Sequence, residues 1–558
     1  MESFIMEKIW LKSYPKGVPA EIDLSLNISV VDIFKYSCEK FKSKSAFYNL
    51  DHTLSYQDVY EQSLAFAAYL QQKLKLKKNS RVAIMLPNIL QYPVVLFGIL
   101  QAGCIVVNIN PLYTAHELAY QLKDADAETI IVLANFAQTL EKALPLTPIK
   151  NIIITEIGDS LPKLKKIIVN FTIKYIKKLI PKFSLSYISY TDIIKQGKML
   201  DMMPVEISPE DIAFLQYTGG TTGVIKGAVL THRNIASNML QIKAWIKSAV
   251  KEGEEAVVTA LPLYHIFSLI ANCLTFIEMG GLNILITNPR DISGLIKILK
   301  KIRFTVITGV NTLFNALLNH TEFSAMDFSS LHLSLGGGMS VQASVAERWQ
   351  KTTSIPLLEA YGLTEASPGV TINPLDLKSY NNSIGLPLPS TDISIRDDYD
   401  QEVNVGESGE LCIKGPQVMK MYWNNPKETE KVYTSDGWLR TGDIVKIDAH
   451  GFVYIIDRKK DMILISGFNV YPNEVEAVIA AHPGVLEAGV VGEPDGTSGE
   501  IVKAVIVKKD LNLTAAEIIR FCRDQLTGYK IPKKIEFRES LPKTNVGKIL
   551  RRALRNPD

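Results

Sequence analysis

The sequence predicts an α/β protein with a large N-terminal domain of helix-covered sheets over residues 1–459, which carries a small β-rich subdomain at about 376–456. A small α+β C-terminal domain follows over 460–558. Three observations predict this. At 558 residues the chain exceeds one ordinary core, and about 150 residues per domain suggests three or four folding units. Apolar strand-like runs alternate with helical patterns in the first two thirds, as parallel sheets covered by helices require. Beyond residue 375 the texture changes to short alternating strands and turns, as in "ISIRDDYDQEVNVGESGELCIKG".

In chain order, the expected strands of the large domain are "RVAIML" (81–86), "CIVVNIN" (104–110), "TIIVLA" (129–134), "NIIITE" (151–156) and "FTVITGV" (304–310). Residues 82–115 contain no Asp, Glu, Lys or Arg. The part "ILQYPVVLFGILQAGCIVV" approaches the length of a membrane span. Gln91, Pro93, Gln101 and Gly103 break it, so the expectation is a buried helix and then a buried strand.

A second segment, "LPKLKKIIVNFTIKYIKKLIPKF" (161–183), is basic, and no acidic residue occurs from Ser160 to Thr191. At helical spacing Leu164, Ile168, Phe171, Tyr175 and Leu179 share one face, and Lys166, Lys174, Lys177 and Lys178 lie on the other. Such a helix either lies on an anionic membrane surface or packs its apolar side on its own protein. Later, "DRKKD" (457–461) reads as a charged link. Beyond it, one helix is expected from Pro472 to the "HPG" at 482–484, and another from the capping box Thr514–Glu517 to near Gly528.

Composition narrows the function classes. The apolar fraction of 47% and charged fraction of 21% are those of a globular protein. A net charge of +3 gives no footprint for nucleic acid. Five cysteines without metal-ligand spacing fit a reduced, cytoplasmic setting. The N-terminal "MESFIMEKIWLKSYPK" lacks the unbroken apolar core of a secretory signal.

The first stretch with chemistry is "YTGGTTGVIKGAVLTHRN" (217–234). Gly219, Gly220 and Gly223 let several N–H groups converge on an anion. Thr218, Thr221 and Thr222 add hydroxyls, and Lys226 adds charge. A Walker A loop needs Gly before the lysine and Ser or Thr after it. Here Ile225 and Gly227 flank Lys226, so that reading fails. The stretch alone leaves a phosphate loop and a ligand-free Gly-rich hairpin both open.

Further stretches decide between them: "YGLTE" (361–365), "DGWLRTGDI" (436–444), "GFVYIIDRKKDMILISGFNVYPNEVE" (451–476) and "LPKTNVGKILRR" (541–552). With the first loop, in this order, they resemble the adenylate-forming (AMP-binding) enzymes over essentially the full length. "ALPLYHIF", "LITNPRDI" and "TGVNTLFNALLN" are similar to the bacterial long-chain fatty-acid CoA ligases of β-oxidation. That resemblance implies two steps. A fatty acid carboxylate attacks the α-phosphate of ATP to give acyl-AMP and pyrophosphate; the thiol of coenzyme A then displaces AMP. Magnesium would accompany the phosphates.

The resemblance also implies roles. The loop 217–226 would cradle the leaving phosphates, with Tyr217 among its contacts, and Thr218 and Glu365 would bind Mg²⁺. Tyr361 would stack on adenine above the backbone of Gly336, Gly337 and Gly338, with Gly362 and Thr364 beside it. Asp443 would accept from both ribose hydroxyls, an acceptor-only task, supported by Arg458. Lys548 would neutralise charge at the α-phosphate during adenylation. Lys460 would be the hinge about which a mobile C-terminal domain rotates, presenting Gly467 and Phe468 to the pantetheine arm. His265 would stand near the acyl carboxylate, or be a satisfied core histidine. One departure is Met421, where the family usually has glycine before "YW".

Two rival readings remain at this level. One is an acyl-AMP ligase that loads a carrier protein, although no carrier domain precedes Asp558. The other is a non-catalytic fatty-acid binding protein at a membrane surface, built on 161–183. Acyl chain length and a homodimer are not legible in the residues.

Overall fold

The computed structural model describes residues 8–23, 28–219, 225–465, 468–495, 499–544 and 547–555. A seven-stranded sheet runs in the order Ile188–Ser189, Asn151–Thr155, Thr129–Leu133, Arg81–Met85, Ile105–Asn108, Ile212–Gly219, Ile225–Thr231. Its pairs are parallel except the last, an antiparallel hairpin. A nine-stranded sheet has a parallel centre formed by Leu357–Gly362, Leu333–Gly336, Val306–Gly309, Ala256–Thr259 and Leu282–Leu285. The expected strands are therefore all present. Their β-branched, nearly uncharged residues suit strands covered on both faces.

The charge-free run 89–107 forms the helix Gln91–Gln101 and the strand Ile105–Asn108, as expected, and every residue of that helix is buried. Tyr92 fixes it between the sheets. Its hydroxyl donates to Asn108 Oδ1 at 2.7 Å and to the Leu263 carbonyl at 2.9 Å. Among the described residues, no helix is long and apolar enough to cross a membrane.

The basic segment behaves differently. The helix Lys163–Phe171 and the π-helical turn Thr172–Ile176 contain no buried residue. Leu164, Ile168, Phe171, Tyr175 and Leu179 are all exposed, Leu164 by 78%. The reading in which this apolar side packs on its own protein is corrected: the side faces outward.

Four antiparallel strands, Asp392–Arg396, Ser408–Lys414, Leu439–Ile447 and Val453–Arg458, form a separate sheet. After a turn at 459–461 comes the C-terminal sheet of Phe468–Val470, Ile463–Ile465, Gly499–Lys508 and Val485–Asp495, joined by Lys534–Arg538. Helices Pro472–Ala480 and Ala515–Arg523 cover it, with Val475, Ile479, Ile518 and Cys522 in its core. Thr514 and Glu517 make the expected capping box, but the helix stops at Arg523, short of Gly528. The charged stretch "DRKKD" is not all link: Asp457 and Arg458 end a strand, and the Asp457 side chain is fully buried.

Candidate functional site

The site lies past the C-terminal ends of the nine-stranded sheet's parallel strands, where open α/β sheets leave a crevice. The strand Leu333–Gly336 runs into Gly337 and Gly338. Gly338 has φ +76°, and a Cβ on Gly337 would lie 3.1 Å from the Ala360 carbonyl oxygen and 3.2 Å from the Phe267 ring. Backbone can therefore approach a flat ligand here where side chains could not.

Beside this edge the strand Leu357–Gly362 delivers Tyr361. Its hydroxyl donates to Asp443 Oδ2 at 2.6 Å, and Arg458 Nε lies 3.2 Å from Asp443 Oδ1. Asp443 and Arg458 are cross-strand partners, so the antiparallel register itself makes the pair. Burial, and then the Asp443 carboxylate, hold the Tyr361 phenol far above its ordinary pKa.

Next along the chain is the short helical turn Thr364–Ala366. Glu365 Oε1 accepts from the Tyr422 hydroxyl at 2.6 Å, while the Glu365 carbonyl accepts from Met419 N–H at 2.7 Å. Lys226 Nζ lies 5.2 Å from the Tyr422 ring centroid and is bonded to Glu428. Hydrogen bonds from Lys226 and then Lys431 pull the Glu428 carboxyl down to about 2. Thr218 faces Lys226 across the hairpin, and Tyr217 donates to Asp124 Oδ2 at 2.5 Å. Gly219 ends its strand. Gly220, Thr221, Thr222, Gly223 and Gly467 lie outside the described residues.

Lys548 comes from the C-terminal domain. Its N–H donates to Thr544 Oγ1 at 3.0 Å, and its carbonyl accepts from Thr544 N–H at 2.6 Å, closing a tight loop. Burial, then the charge of Arg458, push the ammonium down to about 7. Burial, then Lys548, push His265 down to about 4, so the imidazole is neutral at pH 7. Its Nδ1 accepts from Phe267 N–H at 3.3 Å, which leaves the proton on Nε2.

One cavity of about 2610 Å³ joins these groups. Thr218, Lys226, His265, Tyr361, Glu365 and Asp443 line it from the large domain. So do Tyr217, Gly337, Gly338, Gly362, Thr364 and Arg458, with Lys460 and Lys548 opposite. Its lining also includes the apolar side chains of Ile242, Ile246, Ala271, Phe276, Leu333 and Leu335. Gly336 sits just behind the wall, at the strand end. Phe468 is elsewhere: it is exposed and stacked on Tyr529, with ring centroids 5.0 Å apart.

Three residues of this site carry no local sequence signal. Tyr422 and Glu428 reach Glu365 and Lys226 only because the chain at 419–423 docks on the hairpin, where Met421 O accepts from Val229 N–H at 3.0 Å. Met421 is thus bridging backbone without positive φ; the left-handed residue is Asn424, at φ 51°. Glu359, buried, accepts from Val341 N–H at 3.2 Å and from Tyr380 at 3.1 Å, and burial pushes its carboxyl up to about 8.

Residues 34–423 match the family described as AMP-binding enzyme, and residues 474–548 the one described as AMP-binding enzyme C-terminal domain. The chain is 57% identical over 552 residues to the long-chain-fatty-acid–CoA ligase of Escherichia coli O6:H1, covering 99% of this chain and 98% of that one. It is 51% identical to that of Haemophilus influenzae, covering 99% of each. Among solved structures, the anthranilate CoA ligase AuaEII in complex with anthranoyl-AMP superposes with TM-score 0.84 at 25% identity, over 95% of this chain and 97% of that one. ATP-bound MatB from Rhodopseudomonas palustris gives 0.80 at 27%, over 95% and 98%. By these matches and by the site just described, the chain belongs to the AMP-binding enzyme family.

Proposed function

We propose that the chain activates long-chain fatty acids, forming acyl-AMP and pyrophosphate from ATP and then acyl-CoA from coenzyme A. The observation that carries this reading is the cavity, in which Lys548 shares one space with Asp443, Arg458, His265 and the apolar side chains of Ile242, Ile246, Phe276, Leu333 and Leu335. An alkyl chain gains by leaving water for such apolar walls, while its carboxylate meets the polar groups.

The large domain binds and orients. Tyr361 and the Gly336–Gly338 edge hold the base, and Asp443, oriented by Tyr361 and Arg458, accepts from the ribose. Lys226 and the hairpin 217–226 hold the departing phosphates. Thr218 and Glu365 fit a magnesium ion, because a carboxylate and a hydroxyl beside phosphate oxygens are the hard donors it takes; bound there, it would neutralise phosphate charge. Lys548 brings positive charge to the carboxylate and the α-phosphate, where negative charge is shared as the bond forms. Neutral His265 offers Nε2–H to the acyl oxygen without adding a charge. For the second step we assign Lys460 as the hinge between 1–459 and 460–558, with Gly467 and Phe468 brought toward the thiol. The test is AMP and acyl-CoA formation from a C6 to C18 acid series with ATP, Mg²⁺ and CoA. Turnover of palmitate with little from hexanoate is expected; the reverse would refute the chain length.

We further propose that the protein works in the cytoplasm and docks on the anionic inner-membrane surface through 161–183. Seven lysines, no acids and an outward apolar side suit that surface. Cosedimentation with anionic vesicles, lost on Phe171→Ser with Ile168→Ser, is expected. Equal recovery in the supernatant with and without anionic lipid would end the idea.

A further inference from the structure

Asp457 is the last but one residue of the strand Val453–Arg458 and pairs in register with Ile444, so it belongs to the large domain's sheet. Its carboxylate reaches across the turn 459–461 in two directions. Oδ2 accepts from Asn473 N–H at 2.7 Å, and Oδ1 lies 3.1 Å from Arg551 Nη1. Asn473 is in the first turn of the helix Pro472–Ala480, whose own N-cap residue, Tyr471, supplies no side-chain acceptor. The large domain thus caps a helix of the small one with a negative charge at its positive end.

Arg551 lies three residues after Lys548 in the chain. It is also held by groups of its own domain, with Nη2 2.8 Å from Glu476 Oε2 and Nε 3.0 Å from Glu476 Oε1. Those bonds travel with the domain. The two bonds from Asp457 do not, because any rotation at Lys460 separates residue 457 from 473 and 551. Breaking them takes two partners from a carboxylate that is fully buried in this pose and leaves it the N–H of Arg458, at 2.7 Å, a larger loss than that of an exposed pair.

We propose that Asp457 is a positioning residue for the first half-reaction: it locks the C-terminal domain in the pose that places Lys548 in the cavity. The inference rests on the domain rotation proposed above. Asp457 does not line the cavity and acts through Arg551 and the helix Pro472–Ala480.

The two half-reactions are measured separately on the full chain, using palmitate-dependent pyrophosphate–ATP exchange for the first and palmitoyl-AMP plus CoA for the second. Asp457→Asn should slow exchange about tenfold or more, while thioester formation from palmitoyl-AMP stays within about twofold. That retained second step shows the variant is folded. Glu476→Gln, whose contact moves with the domain, should change both steps by one common factor. Arg551→Lys keeps the charge and loses the fork, so it should show the same split as Asp457→Asn and carries the test if that variant is insoluble. Equal losses in both half-reactions, or none in either, overturn the proposal. Absence of exchange in the unaltered protein would overturn the functional reading instead.

Discussion

On the large-domain wall of the cavity, Asp443 is fixed by Tyr361 and Arg458, and Lys226 is bonded to Glu428 beside Tyr422. On the small-domain wall, Lys548 pairs with no carboxylate among the described residues, and burial pulls its pKa to about 7. The first wall is preorganised for polar groups that must be oriented. The second holds a cation at a cost, and that cost falls when an anion arrives. Charge that must orient a substrate is paired in advance; charge that must meet a developing anion is left unpaired.

The sharpest break of this contrast is Lys548→Ala, expected to slow acyl-AMP formation by on the order of 10²–10³. Thioester formation from supplied acyl-AMP should survive, and pyrophosphate exchange measures the loss. Asp443→Asn attacks the other wall. It leaves Arg458 without its carboxylate and should lower kcat/KM for ATP by about ten- to a hundredfold, in steady-state kinetics at varied ATP.

A pH profile sharpens the small-domain side. Because kcat/KM reports the free enzyme, its value for ATP should fall as pH rises through about 7, where Lys548 loses its proton. The decline in kcat should lie higher, since bound phosphates favour the charged form. For stability the sign is the opposite. The ammonium pKa drops from 10.5 to about 7 on folding, so between those values the unfolded chain binds the extra proton and stability rises with pH. Lys548→Met should flatten that rise in denaturant titrations. The smallest effect is expected from Tyr422→Phe, which removes one hydrogen bond to Glu365 and should cost about two- to tenfold in pyrophosphate exchange.

Local rules made much of this readable. The strands at 81, 105, 129, 151 and 306 follow from short apolar runs rich in Val and Ile, and the Thr514 capping box from its four-residue pattern. Asp443 and Arg458 were named through the resemblance of their contiguous motifs to a known family. The partners of those groups could not. Tyr422 meets Glu365, and Glu428 meets Lys226, only through docking of segments distant in the chain. "DRKKD" reads as a charged link because nothing local says that Arg551 and the N–H of Asn473 converge on its first residue.

By itself the sequence determined the layers, because periodicity and short spacing are set by backbone geometry within a few residues; the adenylate chemistry of its motifs rested on their resemblance to a known family. Tertiary structure alone decided which side of 161–183 faces outward, which carboxylate is buried at 457, and how far burial lowers Lys548. The physical reason is that desolvation and ion pairing depend on groups brought together across hundreds of residues, and no local pattern encodes that proximity.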